Sequence, residues 1–354
     1  MELSLLEPML TERGYQLEPE QPHLGGERYL MQAMTTQSGR KLILYGTDKT
    51  GTQVVIKATR DQGGKAEIQH ERTCRDLLNK IEFAAEVFHT PREADFLSEN
   101  GFIVSIQTFI EQSQSFTERP LEEQFAYALK AFKAQEGAHA TTARHYNLIK
   151  KNYELRNSNS YLTRFAAFKE RAANVLPEEV KLHELYEKTE EYLTANQETI
   201  ERYCGFLTHT DFVPHNFRID ENGIMYLLDH SSLAFGNKYE GWARFLNFMT
   251  LYNPPLTDAL AKYVADNRSE GEVLSLHLMR LYRLGEIICY YLGTLERSED
   301  NLHTLNRTRV DFWATVLSST LNNTSVPDSV INLFKQTRDS LRTEDEKRRQ
   351  QGLH

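Results

Sequence analysis

The first part of the chain alternates hydrophobic and polar residues in the manner of β-strands. Three short runs are rich in Leu, Ile, Val and Tyr, and two polar segments that contain glycine separate them. Runs of this kind between turn residues predict three strands joined as an antiparallel meander. The runs are residues 29–34, 41–45 and 53–57, and the segments between them are 35–40 and 48–51.

A helical period then becomes the dominant pattern. Residues 67–81 carry apolar side chains at helical spacing, and residues 101–110 form one more strand-like apolar run before the polar segment 111–115. From residue 121 onward, Leu121, Phe125 and Phe132 fall on one face of a predicted helix. Further helices are predicted at 161–174, 180–203, 239–251, 256–267, 272–296, 303–322 and 327–341.

This order predicts an α+β protein with two lobes. The first, residues 1–111, holds a small antiparallel sheet with one helix, and the second, residues 112–341, is larger and mainly helical. Residues 342–354 form a charged tail that is poor in apolar side chains. A chain of 354 residues is long enough for two such lobes.

Composition narrows the class of protein. The chain is 40% hydrophobic and 26% charged and has no apolar run of membrane-spanning length, which predicts a globular protein without a membrane partner. Its start lacks the pattern of a signal peptide, and Cys74, Cys204 and Cys289 lie far apart, so we expect reduced thiols in the cytoplasm. The net charge of −9 argues against binding to nucleic acid.

Candidate chemistry is concentrated between residues 204 and 229. The turn at 220–223 predicts a hairpin that would bring Asp211, Asn216 and Asp229 to one cleft. One carboxylate to orient a hydroxyl, with further oxygen ligands for Mg²⁺, is the set that phosphoryl transfer requires. A structural alternative remains, in which His209 is a packed histidine, Asn216 forms a turn and Asp229 caps a strand.

The spacing of His209, Asp211 and Asn216 resembles the HGDxxxxN loop of the aminoglycoside phosphotransferase and choline kinase-like family, and Asp229 is similar to the metal-binding Asp of that family. The resemblance implies a protein-kinase-like bilobal fold and a kinase that transfers phosphate from ATP or GTP to a small hydroxylated molecule. It implies that Asp211 is the base and that Asn216 and Asp229 bind Mg²⁺. We expect His209 to brace the loop.

The same resemblance assigns nucleotide-binding roles to the first lobe. Lys57 resembles the strand lysine that contacts the α- and β-phosphates, and either Glu67 or Glu71 could pair with it, with Glu71 preferred. The phosphate loop would be 35–40, with Ser38 and Gly39, although it lacks a G-x-G-x-x-G sequence. The segment 111–115 would be the hinge beside the adenine.

Some residues depart from the family pattern. Thr210 replaces a glycine, and residues 230–232 replace an aromatic and an acidic residue, which raises doubt about the loop geometry and any second metal ion. A catalytically silent nucleotide-binding or regulatory protein is the alternative function. A protein kinase is disfavoured because no D-F-G or A-P-E sequence occurs.

The predicted acceptor is a small molecule with a hydroxyl group, and a cationic one is possible. Several acidic residues on or near the late helices could line a cleft and attract an amine. These residues are Glu240, Asp258, Asp266, Glu270, Glu272 and Glu286.

Overall fold

A computed structural model describes residues 2–19, 41–81, 83, 88–140, 142–342, 344 and 347. The strand predicted at 29–34 and the phosphate loop predicted at 35–40, with Ser38 and Gly39, lie outside these described residues.

In the described part of the first lobe, five strands form an antiparallel sheet with strand order β1-β2-β3-β5-β4. Alternation in the central strand explains its place, because Val54, Ile56 and Ala58 are buried in the core while Lys57 points to the opposite face. The strands are β1 (Gln16–Leu17), β2 (Leu42–Thr47), β3 (Gln53–Thr59), β4 (Glu93–Glu99) and β5 (Phe102–Thr108).

Both edge strands of this sheet were missing from the sequence-based expectation. β4 carries acidic residues at Glu93, Asp95 and Glu99, and charged residues are common at exposed sheet edges but weaken the apolar pattern. β1 is only two residues long, so it has no period to detect. The strands predicted at 41–45, 53–57 and 101–110 correspond to β2, β3 and β5.

Two helices accompany the sheet. Helix α1 (Glu2–Glu12) contributes Leu6 and Leu10 to the core of the sheet. Helix α2 (Gln62–Lys80) packs against β3 and β5, and it begins where the Asp61 carboxylate accepts a hydrogen bond from the Gly64 N–H at 3.1 Å.

The second lobe is mainly helical, as predicted. The region expected as one helix at 180–203 is divided into two at Asn196, and α4 was not predicted because it buries only Ile149. The helices are α3 (Leu121–Gly137), α4 (Ala143–Asn152), α5 (Ser158–Val175), α6 (Val180–Ala195), α7 (Gln197–Arg202), α8 (Glu240–Tyr252), α9 (Pro254–Asn267), α10 (Glu270–Leu295), α11 (Asp300–Leu321) and α12 (Asp328–Leu341). No described helix is both long and apolar enough to cross a bilayer.

Short strands between α7 and α8 carry the loops of interest. β8 and β9 form an antiparallel hairpin around the 220–223 turn, where Gly223 adopts a positive φ of 72°. β10 pairs with β7 on one side and with β6 on the other. The strands are β6 (Glu154–Leu155), β7 (Phe206–His209), β8 (Phe217–Ile219), β9 (Met225–Leu227) and β10 (Leu233–Gly236).

The buried side chains form two separate hydrophobic cores. One core lies between α1 and the sheet of the first lobe and contains Val54 and Ile56. The other fills the helical lobe, and it also includes Cys74 and Leu78 from α2. Helix α2 therefore packs into the large-lobe core with its second half.

Candidate active site

The β7–β8 loop is fixed by one aromatic anchor. Phe212 is fully buried, and its ring stacks on that of Phe217 with centroids 5.2 Å apart. Phe132 and Phe245 pack against the same ring. Because Phe212 is buried directly after Asp211, it anchors the loop to the core and limits the orientations of the flanking polar residues.

Asp211 and Asn216 lie in direct contact within this loop. The Asn216 Nδ2 donates to the Asp211 carbonyl at 2.7 Å and to the Asp211 Oδ2 at 3.0 Å. The other carboxylate oxygen, Oδ1, accepts a hydrogen bond from the Arg244 Nε at 2.9 Å. Both oxygens of Asp211 are thus held by planar donors.

The electrostatics keep Asp211 ionised. Burial alone would raise the pKa of Asp211, but the charges of Arg244, His209 and Arg283 outweigh it and hold the pKa below its usual value. The Asp211 side chain still has 44% of its surface exposed. It is an accessible carboxylate that can accept a hydrogen bond from a ligand.

Asp229 lies two residues after the end of β9, in the β9–β10 loop. Its backbone is left-handed, with φ 50° and ψ 58°, a conformation that Asp tolerates better than most residues. The Ser231 hydroxyl donates to its Oδ1 at 2.7 Å, and the Ser232 hydroxyl donates to its Oδ2 at 2.8 Å. These bonds fix the plane of the carboxylate.

The pKa of Asp229 is also lowered. Burial raises it, but the charges of His209 and Lys57 and the two serine hydroxyls outweigh burial. Lys57 belongs to the first lobe, and its effect on this pKa indicates that the lysine lies near Asp229.

The two loops are tied together by residues that depart from the family pattern. The Thr210 backbone N–H and the Thr210 hydroxyl both donate to the Ser232 carbonyl, at 2.8 and 3.0 Å. Leu228 N–H donates to the Asn216 carbonyl at 2.8 Å. Thr210 and Ser232 thus support the juxtaposition of the loops, and the Ser232 hydroxyl orients Asp229.

His209 has the bracing position expected from the sequence. It is fully buried, and its Nε2 lies 3.1 Å from the Leu228 carbonyl, while its backbone N–H donates to the Gln135 Oε1 at 3.2 Å. The side chain connects the end of β7 to the residue before Asp229. It does not reach the cleft, so we assign it to the support of the loops.

His230 belongs to the β9–β10 loop and is buried where that loop packs against α2. It is 1% exposed, and burial together with the charges of Lys57, His209 and Arg75 lowers its pKa to about 3. The imidazole is therefore neutral at physiological pH.

The structure pairs Lys57 with Glu71, the preferred one of the two candidate glutamates. The Lys57 Nζ lies 2.5 Å from the Glu71 Oε1, and the two side chains are 14% and 3% exposed. Glu67, one helical turn earlier, instead pairs with Lys41. The pair of Lys57 and Glu71 holds the ammonium group at the edge of the cleft.

The polar connector after β5 is attached to the hairpin. The side chain of Gln112 accepts a hydrogen bond from the Ile219 N–H at 3.1 Å. The Gln112 side chain therefore contacts β8, and the role of segment 111–115 as a hinge stays a prediction.

The oxygen atoms at the base of the cleft are suited to Mg²⁺. Because Asn216 uses its Nδ2 to hold Asp211, its amide oxygen is the atom left to act as a ligand, and the Asp229 carboxylate supplies charge. Mg²⁺ sites in kinases use one or two carboxylates together with nucleotide phosphates. Among the described residues, no group of three or more His, Cys, Asp or Glu side chains forms an all-protein metal site.

Of the six acidic residues predicted on or near the late helices, Asp258 and Glu270 are exposed and the other four pair with cations. Glu240 is fully buried and pairs with Arg156 and Arg283, so its predicted place at a cleft wall is wrong. Glu286 pairs with Arg283 and Glu272 pairs with Lys238, whereas Asp266 and Lys262 form a pair on the exposed surface.

Arg244 is the site residue that the sequence did not indicate. It lies in α8, thirty-three positions after Asp211 along the chain. The nearby residues of α8 are all buried. A lone arginine between Ala243 and Phe245 was therefore the signal in the sequence, because a cation in an apolar helix needs a partner.

Comparison of the sequence with models of known protein families gives no match. Comparison with the sequences of curated proteins gives no match either.

Comparison of structures finds similar folds at low sequence identity. Aminoglycoside phosphotransferase APH(2'')-Ib with bound ADP has a TM-score of 0.58 and 13% identity, over 91% of this chain and 99% of that chain. Choline kinase LicA from Streptococcus pneumoniae has a TM-score of 0.56 and 13% identity, over 90% and 99%. Macrolide 2'-phosphotransferase MphH from Brachybacterium faecium has a TM-score of 0.53 and 15% identity, over 87% and 98%.

The architecture is therefore that of the bilobal, protein-kinase-like phosphotransferases. Within that class, the chain has the fold of the aminoglycoside phosphotransferases and of choline kinase along most of its length. The α+β fold predicted from the sequence, with a small antiparallel sheet before a larger helical lobe, is confirmed.

Proposed function

We propose that this protein is a phosphotransferase that moves the γ-phosphate of ATP or GTP to a hydroxyl group of a small molecule. The observation that carries the proposal is a set of linked groups: Asn216 donates to Asp211, the Leu228 N–H ties the Asp229 loop to Asn216, and Lys57, paired with Glu71, lowers the pKa of Asp229. Such a set matches the groups that phosphoryl transfer needs.

In this mechanism the protein acts by positioning and by charge. Asp211 accepts a hydrogen bond from the acceptor hydroxyl and takes its proton as the new O–P bond forms, while the bond between the γ-phosphorus and the β–γ bridging oxygen breaks and ADP or GDP leaves. Lys57, held by Glu71, contacts the α- and β-phosphates of the nucleotide. Ser231 and Ser232 keep the Asp229 carboxylate in the orientation that a ligand to the metal requires.

Asn216 and Asp229 would hold Mg²⁺. When bound, Mg²⁺ neutralises charge on the nucleotide phosphates. Several proteins with this fold are described with bound nucleotide, two with ADP and two with GDP, which supports both ATP and GTP as candidate donors.

The proposed acceptor is a small hydroxylated molecule that binds between the β7–β8 loop and the late helices. Neighbours in the fold are described in complexes with hygromycin B and with kanamycin, which supports an acceptor of this general class. Glu240, Glu272 and Glu286 are already paired with cations, so these carboxylates give no reason to expect a cationic acceptor.

Binding of a Mg-nucleotide is expected to stabilise the folded protein. At a hundred times its Kd, a ligand that binds only the folded state adds about 2.7 kcal/mol to the free energy of unfolding. Thermal unfolding with Mg-ATP and with Mg-GTP measures this effect. Lys57→Met should reduce the shift, whereas Lys49→Met, in the exposed β2–β3 turn, should keep it. No shift with either nucleotide at millimolar concentration would contradict the proposal.

Loss of the proposed metal ligand should weaken Mg-nucleotide binding. Outer-shell changes at metal sites cost about 10–100-fold in metal affinity, so Asp229→Asn should cost at least as much. Isothermal titration at a series of Mg²⁺ concentrations checks this. Asp220→Asn is the matched control, because Asp220 only caps the β8–β9 turn through hydrogen bonds from Asn222 and Ile224. Equal Mg²⁺ dependence in both variants would exclude Asp229 as a ligand.

A further inference from the structure

Arg244 lies directly beneath the carboxylate of Asp211. Its Nε donates to the Asp211 Oδ1 at 2.9 Å, and its Nη2 lies 2.9 Å from the same oxygen. Two donors from one guanidinium converge on a single carboxylate oxygen, which gives a charge-assisted contact of fixed direction.

The opposite side of the carboxylate is held independently. The Asn216 Nδ2 donates to Oδ2 at 3.0 Å. The terminal torsion of an aspartate side chain is broad and has little preference of its own. With one planar donor on each oxygen, rotation about that torsion is blocked, and the remaining lone pairs point in set directions.

Exposure shows on which side a ligand can approach. The Asp211 side chain is 44% exposed, whereas that of Arg244 is 6% exposed. A molecule in the cleft therefore meets the carboxylate first and the guanidinium lies behind it. Any effect of Arg244 on a hydroxyl bound in the cleft must pass through Asp211.

The backbone that carries Arg244 is itself firmly placed. Helix α8 is buried from Glu240 to Leu251, and its Gly241 N–H donates to the Thr208 hydroxyl in β7 at 2.9 Å. β7 leads directly into the loop that carries Asp211. Helix α8, which carries Arg244, is thus hydrogen-bonded to the strand that leads to Asp211. The relative position of the two side chains is therefore defined before any ligand binds.

We propose that Arg244 is a positioning residue that fixes the plane of the Asp211 carboxylate toward the acceptor hydroxyl. This inference rests on the proposed phosphotransferase function. It assigns to α8 a part in the reaction, although no atom of Arg244 needs to touch the nucleotide or the acceptor.

The test compares turnover with nucleotide binding in Arg244→Met and Arg244→Lys. Because the acceptor is unidentified, turnover is measured as ADP release from Mg-ATP with water as acceptor. A misplacement of about 1 Å can cost on the order of 10²-fold in rate, so Arg244→Met should lower kcat by roughly that factor with KM for Mg-ATP unchanged. Arg244→Lys keeps the charge but not the fork of donors, and it should show a smaller loss of kcat, again without a change in KM.

Arg268→Met controls for the loss of a partly buried guanidinium in the same lobe. Arg268 pairs with Glu136 at 2.8 Å and has no contact with Asp211, so its variant should keep the wild-type kcat per folded molecule. If both Arg244 variants turn over like the wild type, or if KM rises in step with the loss of kcat, the positioning role is overturned. Should Arg244→Met fail to fold, Arg244→Lys alone decides, because a wild-type kcat there shows that the fork is not needed. A wild-type protein that neither binds nor hydrolyses Mg-ATP or Mg-GTP would overturn the proposed function itself.

Discussion

Asp211→Asn is expected to lower kcat at least ~10²-fold, because a general base contributes typically ~10²–10⁴-fold to the rate. The amide can no longer accept the proton of the acceptor hydroxyl. It keeps one oxygen that can receive the Arg244 hydrogen bond, so the loop should retain its shape. Mg-nucleotide binding should remain close to wild type, because Lys57, Asn216 and Asp229 are unchanged.

A companion variant separates loss of the base from disturbance of the loop. In Asp211→Asn the new NH₂ group faces the Asn216 Nδ2, which is also a donor, and two donors cannot satisfy each other. Asp211→Ala removes that conflict. Both variants should show the same large fall in kcat and the same Kd for Mg-nucleotide. Near-normal kcat in either one would show that Asp211 is not the base.

Glu240→Ala is expected to destabilise the fold by about 3–5 kcal/mol, the usual cost of removing one partner of a buried ion pair. Glu240 is fully buried at the start of α8. Its Oε1 accepts hydrogen bonds from Arg156 and, at 3.3 Å, from Arg283, and the Tyr161 hydroxyl donates to its Oε2 at 2.6 Å. Without the carboxylate, two buried guanidinium groups would face each other.

Urea unfolding measures this effect, and a surface pair supplies the control. Glu190 pairs with Lys169 while the side chains are 24% and 35% exposed, and such pairs contribute about 0–1 kcal/mol. Glu190→Ala should therefore change the unfolding midpoint very little. A loss below about 1 kcal/mol in Glu240→Ala would mean that the lobe can hydrate the two arginines, contrary to the tight packing around α8.

The sequence revealed the parts of the site that are local in the chain. Asp211, Asn216 and Asp229 are within nineteen positions of one another and are joined by a hairpin, so turn residues and strand patterns were sufficient to bring them together. Lys57 and Glu71 are likewise on consecutive elements, a strand and the helix that packs on it. Short-range geometry fixes both arrangements.

The remaining features depend on how distant elements pack. Arg244 meets Asp211 only because α8 lies beneath the β7–β8 loop, and no spacing in the sequence encodes that contact. Glu240 was expected at an open cleft because a carboxylate on a helix is usually solvated, but two arginines from α10 and from the segment before α5 neutralise it in the interior. Partners of this kind become visible only when the helices are assembled.

The ion pair of Lys57 and Glu71 connects elements that are anchored in the two different hydrophobic cores. Lys57 is on a strand whose neighbours Val54 and Ile56 belong to the core of the sheet, whereas Glu71 is on a helix whose Cys74 and Leu78 are anchored in the core of the large lobe. The pair therefore spans the boundary between two bodies that are each packed internally. A movement of one core relative to the other would change the distance between Lys57 and Glu71, so this distance would report on such a movement.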